Sequence, residues 1–359
     1  MRLNYLLFTL ALTAFISVSA QKNDTLIFKG EKNFKKIKQL TFGGDNAEAY
    51  FSPDGKSIVF QKTSKSEGLP CDQIFYGKLP TKKKQKFKYK MVSTGKGRTT
   101  CAYFMPDAKH ILYASTHKAD TSCPLPPDRN LMKKYVWAIY KGFDIFVTDL
   151  NGKITKQLTE TNGYDAEATV SPKGDKIIFT SMRNGDLDLY IMDTSGHHVV
   201  QITNELGYDG GAWFSPDGTK IVWRASRPKT EEEVKEYKAL LDMGLVAPTK
   251  MEIFVANADG SNVKQITYLG NANWAPNFDY TGNRIIFASN HEYKRGFPFN
   301  LYIINIDGTG LRKLSRDGGF DAFPMFSPDG KKLIFSSNRN NGGTHDTNLF
   351  IVDWKEFDD

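Results

Sequence analysis

Phe326-Ser-Pro-Asp-Gly-Lys-Lys-Leu-Ile-Phe335 decides how this chain folds. An apolar anchor runs into a tight turn at Asp-Gly, and an apolar run leaves it, which is the pattern of two strands joined by a hairpin. The anchor and turn recur at Phe51-Ser-Pro-Asp-Gly55, Phe104-Met-Pro-Asp-Ala108, Val170-Ser-Pro-Lys-Gly174, Phe214-Ser-Pro-Asp-Gly218 and Phe278-Asp-Tyr-Thr-Gly282. Successive anchors stand 53, 66, 44, 64 and 48 residues apart. A four-stranded propeller blade takes about 40–45 residues, so the long intervals carry insertions.

Each repeat continues with an alternating apolar run, such as Asp188-Leu-Tyr-Ile-Met-Asp193, and ends on a tail such as Val200-Gln-Ile-Thr203. The four strands are named A to D. One D-type tail, Lys38-Gln-Leu-Thr41, precedes the first anchor, and none follows the last C strand near Trp354. The N-terminal strand is therefore expected to complete the last blade, which closes the ring and hides its edges. The pattern predicts an all-β, six-bladed β-propeller. A linear solenoid would need distinct capping repeats, and none is visible.

The recurring Ser-Pro-Asp-Gly, the strand ending in Met-Asp, and Gln-Leu-Thr resemble the TolB-like propeller family over roughly residues 37–354. The resemblance implies the fold and little about function, because propellers host enzymes, scaffolds and binding modules alike. The family's namesake carries a further N-terminal α/β domain. With Gln21–Phe34 alone ahead of the first repeat strand, that domain is expected to be absent here, and a Tol–Pal role is not expected.

Residues 1–20 have the pattern of a secretory signal peptide: Arg2, the apolar stretch Leu6–Val18, then Val18-Ser-Ala20. Residues 21–359 are expected to form one propeller domain, exported to the periplasm or outside the cell. No later segment is apolar enough to span a bilayer. Much of the net charge of +8 comes from Lys35–Lys38 and from the lysines of Thr81–Lys90. Lysine on strand edges discourages edge-to-edge pairing, and a nucleic-acid partner is not expected. Cys71, Cys101 and Cys123 in an oxidising compartment imply one disulfide and one free thiol, with the pairing open. No Cys-His arrangement marks a catalytic thiol.

Alignment on the anchor yields columns at the face formed by the D–A and B–C loops. Five before the anchor stand Asn46, Thr99, Asp165, Asp209, Asn273 and Asp321; thirteen after it stand Ser64, His117, Arg183, Arg227, His291 and Arg339. The structural explanation is Asp/Asn loop capping and Asp–Arg pairing between blades. The functional one is a polar or anionic ligand gripped by planar guanidiniums. Glu48 and Glu167 stand three before their anchors, on the strand side of the minus-five column in a regular strand, so Asp165 and Glu167 are a candidate acid–base pair.

Two insertions should overhang this face. His117–Lys141 in blade two holds Cys123-Pro-Leu-Pro-Pro-Asp-Arg129, which proline stiffens. Pro228–Val246 in blade four predicts a short helix: Thr230 and Glu233 form a capping box, Val234, Tyr237 and Leu241 an apolar stripe, and Gly244 a stop.

These features point to an exported binding or interaction module for a glycan, peptide or protein segment of the cell envelope. Its expected ligand-binding set is Arg183, Arg227, Arg339, Asp165, Asp209, Asp321, Asn273, His117 and His291. The alternative is a hydrolase or lyase acting on oligosaccharide or peptide, with Asp165, Glu167, His117 and His291 as catalytic groups. No motif demands a cofactor. A divalent metal is the one candidate, with His117, His291 and His345 as ligands if they converge. A monomer is expected.

Overall fold

The computed structural model describes residues 26–82, 84–128, 133–294, 296–316 and 318–357; the expected signal segment and Arg129 lie outside them. Every anchor ends an A strand: Asp45–Phe51, Thr99–Phe104, Asp165–Val170, Asp209–Phe214, Asn273–Phe278 and Asp321–Phe326. A pairs antiparallel with B, B with C and C with D, which gives six four-stranded sheets. In the sixth, Asn348–Trp354 pairs with the N-terminal strand Phe34–Gln39, Phe34 opposite Trp354 and Gln39 opposite Phe350. The last blade is thus assembled from both ends of the repeat array.

The repeated residues recur because each satisfies backbone groups that would otherwise be left unpaired. In the first turn Ser52 Oγ donates to Asp54 Oδ1 (2.6 Å) and accepts from the Ser57 amide (3.0 Å). Gly55 closes the turn with a left-handed φ of 67°. The hydroxyl in the D-strand tail has the same kind of task. Ser93, Thr159, Thr203, Thr267, Ser315 and Thr41 accept from the amides of Ile74, Ile145, Leu189, Ile253, Leu301 and Leu349 at 2.8–2.9 Å, tying D to the start of C in all six blades.

Each A strand is interrupted once. Its pairing with B slips between the positions four and one before the anchor. Three before the anchor the backbone is left-handed in every blade: Glu48 (φ 52°), Cys101 (46°), Glu167 (56°), Gly211 (63°), Ala275 (49°) and Phe323 (54°). Such a bulge re-aims its side chain, and here the six residues ring the propeller axis. For the five non-glycine residues the conformation costs about 1–2 kcal/mol each, a cost borne by the surrounding sheets.

The insertions meet. Trp137–Ala138 of blade two pairs antiparallel with Leu245–Val246 of blade four, and the Ile139 amide donates to the Gly244 carbonyl oxygen (2.7 Å). The helix Glu231–Asp242 begins with the capping box of Thr230 and Glu233, and Gly244 follows its end at φ 69°. Tyr237 and Leu240 are its buried residues; Val234 and Leu241 are half-buried. The Tyr237 hydroxyl donates to Asp186 of blade three, and Leu240 packs with Val136 and Leu245. Cys71, in the blade-one C strand, forms a disulfide with Cys123 of the blade-two insertion across 52 residues of sequence, and Cys101 keeps its thiol. Among the described residues no helix is long and apolar enough to cross a membrane.

Candidate functional site

The two polar columns come together blade by blade. Arg183 Nη2 lies 3.1 Å from both carboxylate oxygens of Asp165, and its Nε donates to Ser181 Oγ (2.9 Å). Arg227 Nη2 donates to Asp209 Oδ1 (2.7 Å) and its Nε to Glu205 Oε2 (3.1 Å). Arg339 holds Asp321 (2.9 Å) and Glu31 (3.1 Å) with its side chain fully buried. These three guanidiniums therefore brace their own blades and, for Arg339, the N-terminal segment. Burial pushes the Asp209 carboxyl up to about 7, against the pull of Arg227. Burial also acts on Arg227, downward, but the Asp209 and Glu205 carboxylates outweigh it and raise its pKa.

Asn273 accepts from Ser289 Oγ (2.7 Å) and donates to the Met251 carbonyl oxygen (2.8 Å). His117 and His291 each place Nδ1 2.9 Å from a serine hydroxyl of their own B strand. His117 packs on Phe146 and His291 on Tyr302, with ring centroids 4.4 and 4.6 Å apart. Burial lowers both imidazole pKa values, which favours the neutral form. His345 sits exposed on a different loop. Among the described residues no three His, Cys, Asp or Glu side chains are grouped to hold a metal ion.

Asp165 and Glu167 do not share a site. Asp165 belongs to Ser181, Thr161 and Arg183. Glu167, one bulge further on, points to the axis. It accepts from Tyr208 Oη (2.7 Å), Thr180 Oγ1 (3.0 Å), the Gly211 amide (2.7 Å) and Arg224 Nη2 (2.7 Å). The regular-strand alternation that places both carboxylates on one side is broken by the left-handed residue at 167 itself.

An axial chamber of about 30 Å³ results, walled by Glu48, Tyr50, Cys101, Glu167, Trp213 and Arg224. That is room for roughly two waters. Burial pushes the Glu48 carboxyl up to about 7, although a hydrogen bond with the Cys101 thiol pulls the other way. Burial and the carboxylates of Glu48 and Glu167 hold the Cys101 thiol well above its ordinary range, so it is a poor nucleophile. Two glycines make the Arg224 position possible. A Cβ on Gly211 would collide with Arg224 Nη1, and one on Gly210 with Glu167 Oε2 and the Tyr208 hydroxyl.

Arg224 is not among the residues selected from the columns. Its signal is compositional: ten residues after the anchor the other blades carry Gln61, Ala114, Thr180, Ala288 and Ser336, and blade four carries arginine.

Above the chamber the bridged insertions form one side of the mouth. The Arg224 guanidinium lies 5.2 Å from the Trp137 ring centroid and 5.4 Å from that of Tyr208. Trp137 continues into an aromatic wall through Trp274 (5.1 Å), Phe299 (4.4 Å) and Phe320 (5.7 Å). Among the described residues most large apolar side chains left exposed lie on this face: Phe42, Leu125, Tyr135, Leu206, Met243, Tyr268 and Phe297, with Phe42, Tyr268 and Phe297 at least 66% exposed. The two insertions also enclose a cleft of about 520 Å³ lined by Leu125, Pro127, Ala138, Tyr140, Met243 and Leu245, a volume in the range of ligand pockets.

A ring of six antiparallel sheets, closed by its own N-terminal strand and bridged across one mouth by loop insertions, defines the class: a six-bladed β-propeller with a loop-built face. A family model described as the TolB beta propeller domain matches residues 136–242 and 246–346. The chain belongs to that family.

Among solved structures it is similar to a putative TolB from Agrobacterium tumefaciens (17% identity, 88% of this chain and 91% of that one, TM-score 0.55). It is likewise similar to TolB from Acinetobacter baumannii (20% identity, 87% and 64%, TM-score 0.50). A third similar structure is an oligogalacturonate lyase in complex with manganese (16% identity, 89% and 80%, TM-score 0.51). At these identities the likeness is one of fold. No curated protein matches the sequence.

Proposed function

We propose that this chain is an exported binding module whose D–A/B–C face holds a polypeptide segment of an envelope partner. The observation that carries the reading is the gathering of exposed aromatic and aliphatic side chains on that one face, around an aromatic wall and beside the insertion cleft. Exposed apolar groups of this size mark interaction surfaces when they cluster, and aromatic residues dominate the energetics of such surfaces. Phe42, Tyr268 and Phe297 would supply the anchors and the blade-two and blade-four insertions the walls. In this reading Arg183, Arg227 and Arg339 shape the face rather than touch the partner, because their donors are already engaged.

A photo-crosslinking residue placed at 268 or 297 tests it, with 200, on the outer D strand of blade three, and 263, directly before that of blade four, both exposed, as comparison positions. In living cells the mouth positions should give one discrete adduct and the outer positions none. Equal adducts from both sets, or none from either, would overturn the proposal.

A further inference from the structure

A run of lysines lies on the outer rim of blade one. Lys84, Lys86, Lys88 and Lys90 are all exposed, whereas the intervening Phe87 and Tyr89 turn inward against Phe60. Lys78, on the C strand and also exposed, stands directly opposite Lys88 in the sheet register. Lys38, on the outer strand of blade six, joins the same surface, since its Nζ donates to the Gln85 carbonyl oxygen (3.0 Å). None of these six lysines has an ion-pair partner among the described residues, although Lys36 and Lys332 nearby share Asp353.

Edge protection explains lysine on an outermost D strand. It does not explain Lys78, which lies one strand further in, nor a like-charge pair set face to face, an arrangement that disfavours the sheet. A repulsive array kept without acidic partners is what a polyanion would neutralise. The ammonium groups are point charges without the planar fork of arginine, so the surface suits diffuse repeating charge rather than a single anion.

We propose that the outer rim of blade one, with Lys38 of blade six, binds an anionic polysaccharide chain. Among the described residues no exposed aromatic side chain stands among the lysines for the base stacking that single-stranded nucleic acid would use. Among the described residues no large apolar side chain between Phe42 and Leu125 is exposed to enter a bilayer. Cross-strand neighbours on one face lie about 5 Å apart and same-face residues along a strand about 7 Å apart. Lys78, Lys88 and Lys90, the lysines that lie in paired strands, thus present charges about 5–7 Å apart, a spacing suited to a polymer of closely repeated charge. The surface is separate from the mouth, so this proposal stands or falls independently of the polypeptide-binding reading.

The experiment uses the full chain with its disulfide intact and measures binding to alginate and dextran sulfate, with uncharged dextran, phosphatidylglycerol vesicles and oligo(dT) as comparisons. Alginate and dextran sulfate should bind at about 50 mM salt and weaken roughly ten-fold or more by about 200 mM as screening sets in. Lys84→Glu with Lys86→Glu and Lys88→Glu should abolish that binding without lowering the melting temperature, since the new carboxylate at 88 faces Lys78. The corresponding Gln variants should lose most of it. Lys235→Glu with Lys238→Glu on the exposed side of the helix should keep it. Absence of binding by the wild type, equal loss in the helix variant, or a preference for vesicles or oligo(dT) over both polysaccharides would overturn the proposal.

Discussion

Arg224→Met tests the axial cluster most sharply. Glu167 is 8% exposed and Arg224 9%, and the guanidinium supplies the one positive charge among the four donors that Glu167 accepts. Removing it leaves a buried carboxylate with three neutral donors, Tyr208, Thr180 and the Gly211 amide. Breaking a buried pair in this way costs about 3–5 kcal/mol, because the remaining charge stays buried and uncompensated. Glu167→Gln keeps an acceptor for the same donors but also strands Arg224, so it too should destabilise. The double variant removes both charges together, and the two single costs should therefore not add. A coupling of roughly 2 kcal/mol in its favour lies within the range for residues in direct contact. Equilibrium urea unfolding of the four proteins, disulfide intact, reads all of these terms from the midpoints. If the double variant is destabilised by the sum of the two single costs, Arg224 and Glu167 do not act as a buried pair and the cluster has been misread.

Three further outcomes follow from named contacts. Reducing the Cys71–Cys123 disulfide, or replacing either cysteine by serine, frees a loop of 52 residues and should lower stability by about 4 kcal/mol on chain-entropy grounds; Cys101→Ser, which keeps that disulfide, should retain the full reductant-sensitive loss in thermal melts, whereas Cys71→Ser and Cys123→Ser should show none. Glu48 has its carboxyl pushed up from 4.5 to about 7, so between those values the folded state binds a proton that the unfolded state has released. Its contribution is full below about pH 4.5 and is lost as pH rises through 7, by up to about 3 kcal/mol; Glu48→Gln should flatten that fall in a pH series of urea midpoints. Arg339→Ala removes the fully buried clamp on Glu31 and Asp321. It should cost about 3–5 kcal/mol and release the N-terminal strand to limited proteolysis ahead of Thr41, which mass spectrometry of the first fragments would detect.

How far the sequence reaches is decided by whether the relevant chemistry is local. Ser52, Asp54 and Gly55 satisfy one another within a turn, and Thr41 repeats the bond that Thr159 and Thr203 make in their blades, so the hairpins and the surplus D strand are legible from spacing alone. Thr230 and Glu233 cap the helix for the same reason. Pairing of Arg183 with Asp165 is also visible as two columns, but its burial is not, and burial separates a brace from a ligand grip. The axial ring is hidden because one left-handed residue per A strand reverses the alternation. Counting by twos places Glu167 beside Asp165, whereas the bulge sends it to the axis with Arg224. The meeting of Trp137 with Val246 joins segments from two different blades, and nothing in either stretch names the other.

The polypeptide-binding reading turns on which groups at the mouth meet the partner. Once the partner is isolated through its crosslink at 297, its affinity should be measured for the wild type, for Phe297→Ala with Tyr268→Ala, and for Arg183→Gln with Arg227→Gln. All three proteins should be compared at a temperature where each is folded. Loss of the aromatic pair should weaken binding by roughly ten-fold or more, as expected for interface anchors, while the arginine variant binds as the wild type does. Wild-type affinity after loss of both aromatic residues, with binding abolished in the arginine variant, would contradict the aromatic mouth and return the site to the Arg/Asp columns.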